Sequence, residues 1–406
     1  MNRSGLPGIT DIHALVKRFR MAAWAFEPRT VDKPLALYGA GRLGRLAKEY
    51  LARLDIPFRY VVDAEPGRYA GTQEWQGIEV IAPQDVPASD RRDCLFAVCV
   101  ATAPFASIAA PLWCLGFQDV VPFYDITEAY RDVYPMGNGW FTGELTADDA
   151  EGIDYATRRW ADDVSRAHHL QFIAWHSVRQ ELDFPGAPVT LDDRYFIPEV
   201  RSLLGDKEIF LDGGAHHGEV SLRFMEIAGR RFEKIYAVEP DKHNCAILRQ
   251  ALDGRNGLTG RLEVIEAAFD RRPGSVRFFD GLDYASQISR LGRALVPART
   301  LDEIDISATF LKLHLEGAEL DALRGGLSWL NNRRPIVAST VYHNRAGLWE
   351  VPAFLMKNLA GYDFLLRLHG WLGTGCVLYA IPHERARHEQ RPFIKRPEIT
   401  VGLGRS

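Results

Sequence analysis

The sequence offers little from which a covalent or metal framework could be built. Among 406 residues there are five cysteines, Cys94, Cys99, Cys114, Cys245 and Cys376. Their number is odd and no pair has CxxC spacing, which excludes a disulfide scaffold and a zinc cluster and leaves small buried hydrophobes of a reducing compartment. No stretch approaches the ~18 uninterrupted apolar residues of a membrane span. The first residues also lack a basic flank leading into an apolar segment, so a cytoplasmic protein is expected. Excess positive charge is missing too: 49 Lys and Arg stand against 53 Asp and Glu, for a net charge of -4. Neither nucleic acid nor an anionic membrane is therefore expected as a partner. With 47% hydrophobic and 25% charged residues the chain reads as globular, and its length predicts two or three domains.

The stretch from 209 to 241, IFLDGGAHHGEVSLRFMEIAGRRFEKIYAVEPD, organises the rest. One apolar run ends in Asp212, glycines 213, 214 and 218 punctuate a turn, a helical segment follows, and a second run, Ile235 to Val238, ends in Glu239. This is a strand, helix, strand unit with an acid at each carboxyl end. In a parallel sheet ligands lie outside those ends, where glycines admit the backbone and the second acid can accept ribose hydroxyls. D-x-G-x-H-x-G places Asp212, Gly214, His216 and Gly218 at alternate positions. Asp212 is expected to accept a hydrogen bond from the loop backbone and to orient the ligand through water.

Earlier in the chain a helix is expected over 10 to 26, followed by a strand, Leu35 to Tyr38, and the turn Gly39, Gly41, Gly44. The next strand, Phe58 to Val62, ends at Asp63. The GxGxxG in this setting reads either as a dinucleotide or nucleotide-sugar site, or as a turn rich in glycine for helix and strand packing. Strands at Cys94 to Val100 and Asp119 to Pro122 complete an α/β domain over 1–130. Residues 131–194 read as a linker rich in Gly, Asp and Thr, then one broken helix or two. His168, His169 and His176 fall in this region, and their spacing favours exposed or interdomain positions over metal ligation.

Beyond Glu239, strands over Leu262 to Phe269 and at SVRFF precede a loop of small and polar residues to about 298. Strand FLKLHLEG, strand PIVASTVYH, and two adjacent strands with no helix between them follow. Seven strands with one antiparallel member are common among S-adenosylmethionine-dependent methyltransferases. The fold class is thus α/β, two Rossmann-like domains, the second over 195–382 a seven-stranded class I methyltransferase sheet. A mobile tail is expected over 383–406. In FLKLHLEGAE, strand period puts Lys312, His314 and Glu316 on one face, so these ionisable groups are expected to cluster at the carboxyl edge. His343 ends the next strand and is a second candidate base. A metal held by His314, Glu316 and His343 lacks tight ligand spacing, and none is expected.

YFIPEV, FLDGGAHHGEVS, AVEPDKHN, RTLDEI and K-x-H-x-EGAE followed by ALRGG resemble the FkbM family of S-adenosylmethionine-dependent O-methyltransferases. VYHNRAGLWEVP and VLYAIP are similar to one branch of it, and a preceding α/β domain resembles that of some members. The resemblance implies methyl transfer to a hydroxyl of a sugar, glycan precursor or secondary metabolite. It makes Asp212, Gly214 and Gly218 the donor loop, Glu239 the ribose acid, and Lys312, Glu316 and Glu319 part of K-x-D-x-EG-x-E. Gly213, His216, His217, Pro240, Asp241 and Ala268 complete the expected donor set. His216 stands where Asn is common and His314 where Asp is usual. His314 or Glu316 is then expected to accept the proton while Lys312 and Glu319 position the acceptor. The alternatives are a nicotinamide-dependent oxidoreductase working through Gly39, Gly41, Gly44 and Asp63, and a nucleotide-binding protein without catalysis.

Overall fold

The computed structural model describes residues 5–22, 26–69, 71–136, 140–229, 231–252 and 260–386. Three sheets form among them. Five parallel strands, β1 (Leu35–Tyr38), β2 (Phe58–Val62), β3 (Val80–Ile81), β4 (Leu95–Val98) and β5 (Asp119–Pro122), lie in the order β3-β2-β1-β4-β5. Apolar residues at nearly every position of β1 and β4 suit strands covered on both faces. Gly39 (φ 105°) turns the chain from β1 into helix Arg42–Arg53. A Cβ on Gly44 would meet the Gly39 carbonyl oxygen at 2.0 Å, so the third glycine serves the close approach of helix and strand.

The second sheet contains β6 (Glu208–Gly213), β7 (Phe232–Val238), β8 (Leu262–Ile265), β13 (Phe310–Leu313), β14 (Ile336–Thr340), β15 (Tyr362–Leu368) and β16 (Cys376–Pro382). Its order is β15-β16-β14-β13-β6-β7-β8, with β16 antiparallel to both neighbours. This is the expected seven-stranded class I arrangement. The strand expected over Leu262 to Phe269 is divided: it leaves the large sheet after Ile265, and β9 (Ala268–Phe269) joins a small sheet with β10 (Gly274–Phe279), β11 (Gln287–Ile288) and β12 (Ala294–Arg299). The segment to 298 expected as a loop therefore contains two strands. Short polar β-strands have weak periodicity, and the β12 pattern alternates only once it has β10 beside it.

The two Rossmann-like units share apolar packing. Phe279, Leu282 and Ala285 of the small-sheet region pack with Tyr50, Phe123 and Tyr134 of the first unit. The Tyr134 and Phe279 rings stand edge to face at 5.0 Å, and the Trp371 N–H donates to the Ala101 carbonyl at 2.8 Å. Residues 131–194 form more than a linker. Trp140 is buried, stacks on His176 at 4.0 Å and donates through Nε1 to the Tyr342 carbonyl at 2.7 Å. The leading helix, Ile9–Met21, and helices Ala147–Thr157 and Asp163–Val178 close the same core. Local polarity hid this because the anchoring residues are few and far apart.

The three histidines of helix Asp163–Val178 are likewise buried; of the two expected placements the interdomain one holds and the exposed one does not, since their rings meet the Leu366, Leu348 and Gly373 carbonyls of the C-terminal unit. His169 accepts from Trp160 Nε1 through Nδ1 and donates through Nε2 to the Leu348 carbonyl. His168 accepts from the Leu368 N–H and donates to the Ala187 carbonyl. Each is thereby fixed as a neutral tautomer. Of the expected tail, only His383–Ala386, a helical turn, falls within the described residues. Among the described residues no helix is long and apolar enough to cross a membrane.

Burial holds the pKa of both His168 and His169 down at about 4, against an ordinary 6.5. The unfolded chain binds protons between these values that the folded chain refuses, so their contribution is complete above pH 6.5 and is lost as pH falls toward 4. Unfolding free energy from urea titrations should fall between pH 6.5 and 4 by about 1 kcal/mol per pH unit for each histidine. His169→Gln should flatten that slope by about one proton; an unchanged slope would contradict the buried neutral assignment.

Candidate active site

β6 carries Asp212 and Gly213 to the carboxyl edge of the large sheet, and the chain turns at Gly214 (φ 74°). A Cβ there would lie 1.9 Å from the His314 carbonyl oxygen, so only glycine lets this loop cross beside the end of β13. The β13–β6 register makes Lys312 and Asp212 Cα partners. Their side chains meet as an ion pair of 2.9 Å, at 1% and 0% exposure. Lys312 Nζ also donates to the Gly214 and Gly213 carbonyls at 2.7 and 3.2 Å. Asp212 accepts from Ser221 Oγ at 2.7 Å rather than from the loop backbone, because Lys312 already occupies the loop side. Lys312 thus fastens the glycine turn to the sheet from below, which differs from the expected acceptor-positioning role. Either charge alone would be costly in this interior; together with three oxygen acceptors they are satisfied.

Glu239 follows β7. Its Oε2 accepts from the His216 N–H and its Oε1 from the Asp241 N–H, both at 2.9 Å. Burial raises its pKa against the opposing pull of these donors. Asp63 repeats the arrangement after β2: Oδ2 accepts from the Ala40 N–H at 2.8 Å and Oδ1 from the Glu65 N–H at 2.9 Å. In each unit one acid grips the glycine turn of the preceding strand and the residue two ahead of itself. Both acids line one cleft, the position that hydroxyl recognition requires.

His216 adopts φ 49° and its Nε2 lies 2.7 Å from Asp283 Oδ1. Burial would lower this imidazole, but Asp283 and Glu219 outweigh burial and raise it to about 9. Its ring stacks on His217 at 3.6 Å, and His217 Nε2 pairs with Asn244 Oδ1. Asp241 caps the helix from Lys242, accepting from the His243 and Asn244 N–H groups.

Beyond β13, a polar chain runs along the floor. His314 Nδ1 meets Tyr195 OH at 2.8 Å, and His314 Nε2 lies 2.9 Å from Glu316 Oε1 and 3.2 Å from Tyr342 OH. Glu316, at φ 51°, turns back toward His343, whose Nε2 is 3.4 Å from the same oxygen. His343 Nδ1 meets Glu319 Oε1 at 3.1 Å, and that oxygen also accepts from Thr340 Oγ1 and the Leu315 N–H. Burial lowers the His314 pKa to about 3. For His343 burial also opposes the charge, but Glu316 and Glu319 prevail and raise it well above its ordinary value.

One cleft of about 650 Å³ joins these parts, lined from both Rossmann-like units. Gly214, His216, Glu239, Pro240 and Ala268 of the expected donor set line it, as do Gly39, Gly41 and Asp63 of the first unit and Lys312, His314 and Glu316 of the floor. Asp212, Gly213, His217, Gly218, Asp241 and Gly44 lie behind that surface, with Glu319 and His343 one layer below. Tyr195, Tyr342 and Arg194 also line the cleft and were given no role by sequence reasoning. Both tyrosines hold His314, and the Arg194 guanidinium lies 5.1 and 5.4 Å from their ring centres. The motifs YFIPEV and VYHN contain the tyrosines, yet only folding reveals the shared partner. Tyr195, His216, Asp283 and Glu316 are all non-glycine residues at positive φ around this one cleft, a concentration of backbone strain usual for working sites.

Comparison with known proteins agrees with this geometry. The family model of the methyltransferase FkbM domain matches residues 212–366. The C-terminal Rossmann-like unit is a methyltransferase FkbM domain. The crystal structure of methyltransferase FkbM from Methylobacillus flagellatus aligns over 93% of this chain and 94% of that one, at 20% identity and a TM-score of 0.58. That likeness extends the shared fold through the N-terminal sheet. A precorrin-6y C5,15-methyltransferase from Geobacter metallireducens aligns over 48% of this chain and 93% of that one, at 13% identity and a TM-score of 0.27. No curated protein matches the sequence.

In the FkbM domain, Lys312→Met should lower stability by about 3 to 5 kcal/mol, because Asp212 would remain charged and unpaired in the interior. Adding Asp212→Asn should recover part of the loss. Equilibrium unfolding measures both. A Lys312→Met protein of undiminished stability but raised acceptor KM would return Lys312 to acceptor positioning.

Proposed function

We propose that the chain transfers a methyl group from S-adenosylmethionine to a hydroxyl of a sugar, glycan precursor or secondary metabolite. The observation that carries this reading is the meeting of Gly214, Glu239 and the His314–Glu316 pair in one cleft at the carboxyl ends of β6, β7 and β13. The residues fit the donor. Gly214 keeps the turn free of a side chain, and Glu239 offers a carboxylate at the position of a ribose acid. When bound, the donor supplies an electrophilic methyl carbon. Gly214, His216, Glu239, Pro240 and Ala268 would hold it, with Asp212, Gly213, His217, Gly218 and Asp241 shaping the walls from behind.

The acceptor hydroxyl must then lie in line with that carbon, near a group able to take its proton. His314 and Glu316 are at the floor of the cleft, with Glu319 and His343 continuing the polar chain away from it. Tyr195 and Tyr342 fix the imidazole, which burial keeps neutral. The N-terminal loop would take the far end of the acceptor. Its Asp63 repeats the contacts of Glu239, which favours a nucleotide joined to the sugar over an acceptor without one.

Glu239→Gln should weaken binding of S-adenosylmethionine by about 10- to 100-fold in calorimetry, since an amide cannot accept at both oxygens. His314→Ala should lower kcat by about 100-fold or more with donor affinity preserved. Methyl transfer from labelled donor to a panel of nucleotide sugars and free sugars reads the activity. Tight binding of a nicotinamide dinucleotide without donor binding would overturn the proposal in favour of an oxidoreductase.

A further inference from the structure

We propose that His314 Nε2, a carboxylate oxygen of Glu316 and His343 Nε2 form a binding site for a divalent cation of the zinc, manganese or cobalt type, open toward the cleft. The three ligand atoms lie within 4.8 Å of one another. The distances from Glu316 Oε1 to His314 Nε2 and His343 Nε2 are 2.9 and 3.4 Å, which bracket the ~3.3 Å edge of a tetrahedron with metal bonds of about 2 Å.

Two further observations separate this cluster from an ordinary ion network. Both oxygens of Glu316 and Nε2 of His343 are buried without a hydrogen-bond partner, although their neighbours are close. Buried polar atoms left without a partner call for an explanation, and an ion bound among them would supply it. Each imidazole is also held through its far nitrogen, His314 Nδ1 by Tyr195 OH and His343 Nδ1 by Glu319 Oε1. That leaves His343 Nε2 without a partner and places His314 Nε2, which also meets Tyr342 OH at 3.2 Å, beside Glu316; outer partners orient metal-binding histidines in this way. In the other compact group, His216, His217 and Asp283, no side-chain atom is buried without a partner. His216 Nε2 is paired with Asp283 and His217 Nε2 with Asn244.

Two imidazoles and one carboxylate suit a borderline divalent ion and leave positions free. His314 and Glu316 line the cleft, so those positions face the acceptor. The consequence for catalysis rests on the methyltransferase reading. An acceptor hydroxyl bound to the cation is acidified, its proton passes to water in the cleft, and its oxygen bonds the methyl carbon as the carbon–sulfur pair returns to sulfur. Glu316 and the histidines would then act by holding the ion, and the loss of activity in His314→Ala would be a loss of the ion.

The test uses the full chain, stripped with chelator and titrated with Zn2+ and Co2+ alone, without donor or acceptor. One equivalent should bind, with visible Co2+ absorption of a nitrogen- and oxygen-ligated site. Glu316→Gln and His343→Ala should each weaken Co2+ binding at least 100-fold, whereas Asp283→Asn should leave it unchanged. The His314 side chain is 18% exposed at the cleft floor, against 4% for Glu316 and 0% for His343, so His314→Ala supplies a folded variant should the buried substitutions fail to fold, and it should weaken binding by the same order. Absence of stoichiometric binding, or its loss in Asp283→Asn but not in His314→Ala, would overturn the site. Because binding is read without methyl transfer, an inactive protein that still takes up one ion refutes only the proposed reaction. A chelated protein that binds no added ion yet transfers methyl groups refutes only the site.

Discussion

The ion pair between Lys312 and Asp212 is the constraint on which the cleft depends. It joins the strand that begins the large sheet to the strand beside it, and through the Gly213 and Gly214 carbonyls it also sets the height of the glycine turn. With the turn fixed, His216 is placed so that its N–H reaches Glu239 across the mouth of β7. The His314 N–H closes the same turn from the other side, donating to the Gly213 carbonyl at 3.0 Å. A hydrophobic pair could fill the space of Lys312 and Asp212. It could not supply the donors that the turn's carbonyls take from Nζ, and unmet carbonyls there would free the turn to move.

The cleft also needs the first Rossmann-like unit. Its β1 turn and Asp63 form the opposite wall, and the small sheet is the joint that brings the walls together. β10 and the turn after it present Phe279 and Leu282 to the first unit, while Asp283 and Tyr284 from the same turn reach the cleft. Arg42, the first residue of the helix after the N-terminal glycine turn, lies 5.3 Å from the Tyr284 ring centre. An acceptor held between the walls would touch both units at once.

Strand order, the glycine turns and the two acids were legible in the sequence because each is a local signal: an apolar run, a residue free to take positive φ, an acid at a strand end. Long-range pairing was not. Nothing in FLKLHLEG distinguishes a lysine aimed at an acceptor from one aimed at Asp212, since strand period gives a face but not the neighbour, and the register decides. The same holds for Tyr195 and Tyr342, which are 147 positions apart: the β13–β14 pairing brings Tyr342 to the imidazole, whereas Tyr195 reaches it from the segment before β6, its N–H donating to Tyr379 OH. Trp140 and the buried histidines of helix Asp163–Val178 were misjudged for a related reason. A segment rich in polar residues can be core where its few aromatic groups are met by other elements.

His314 is the substitution that gives this floor its character. With an acid at 314, three carboxylates would surround the single imidazole of His343, and their mutual repulsion would force one to hold a proton. With His314, basic and acidic groups alternate from His314 through Glu316 and His343 to Glu319. The alternation lets both acids stay charged in a buried setting: burial would raise the pKa of Glu316, but His343 and His314 beside it outweigh burial and hold it well below the usual carboxylate range. Glu316 at positive φ keeps this arrangement against its backbone preference, which requires that neighbouring contacts compensate by about 1 kcal/mol or more. Both of its oxygens remain buried without a hydrogen-bond partner. An arrangement maintained at that cost, with two imidazoles and a carboxylate within 4.8 Å of one another on the edge of a cleft, is what the proposed cation site requires.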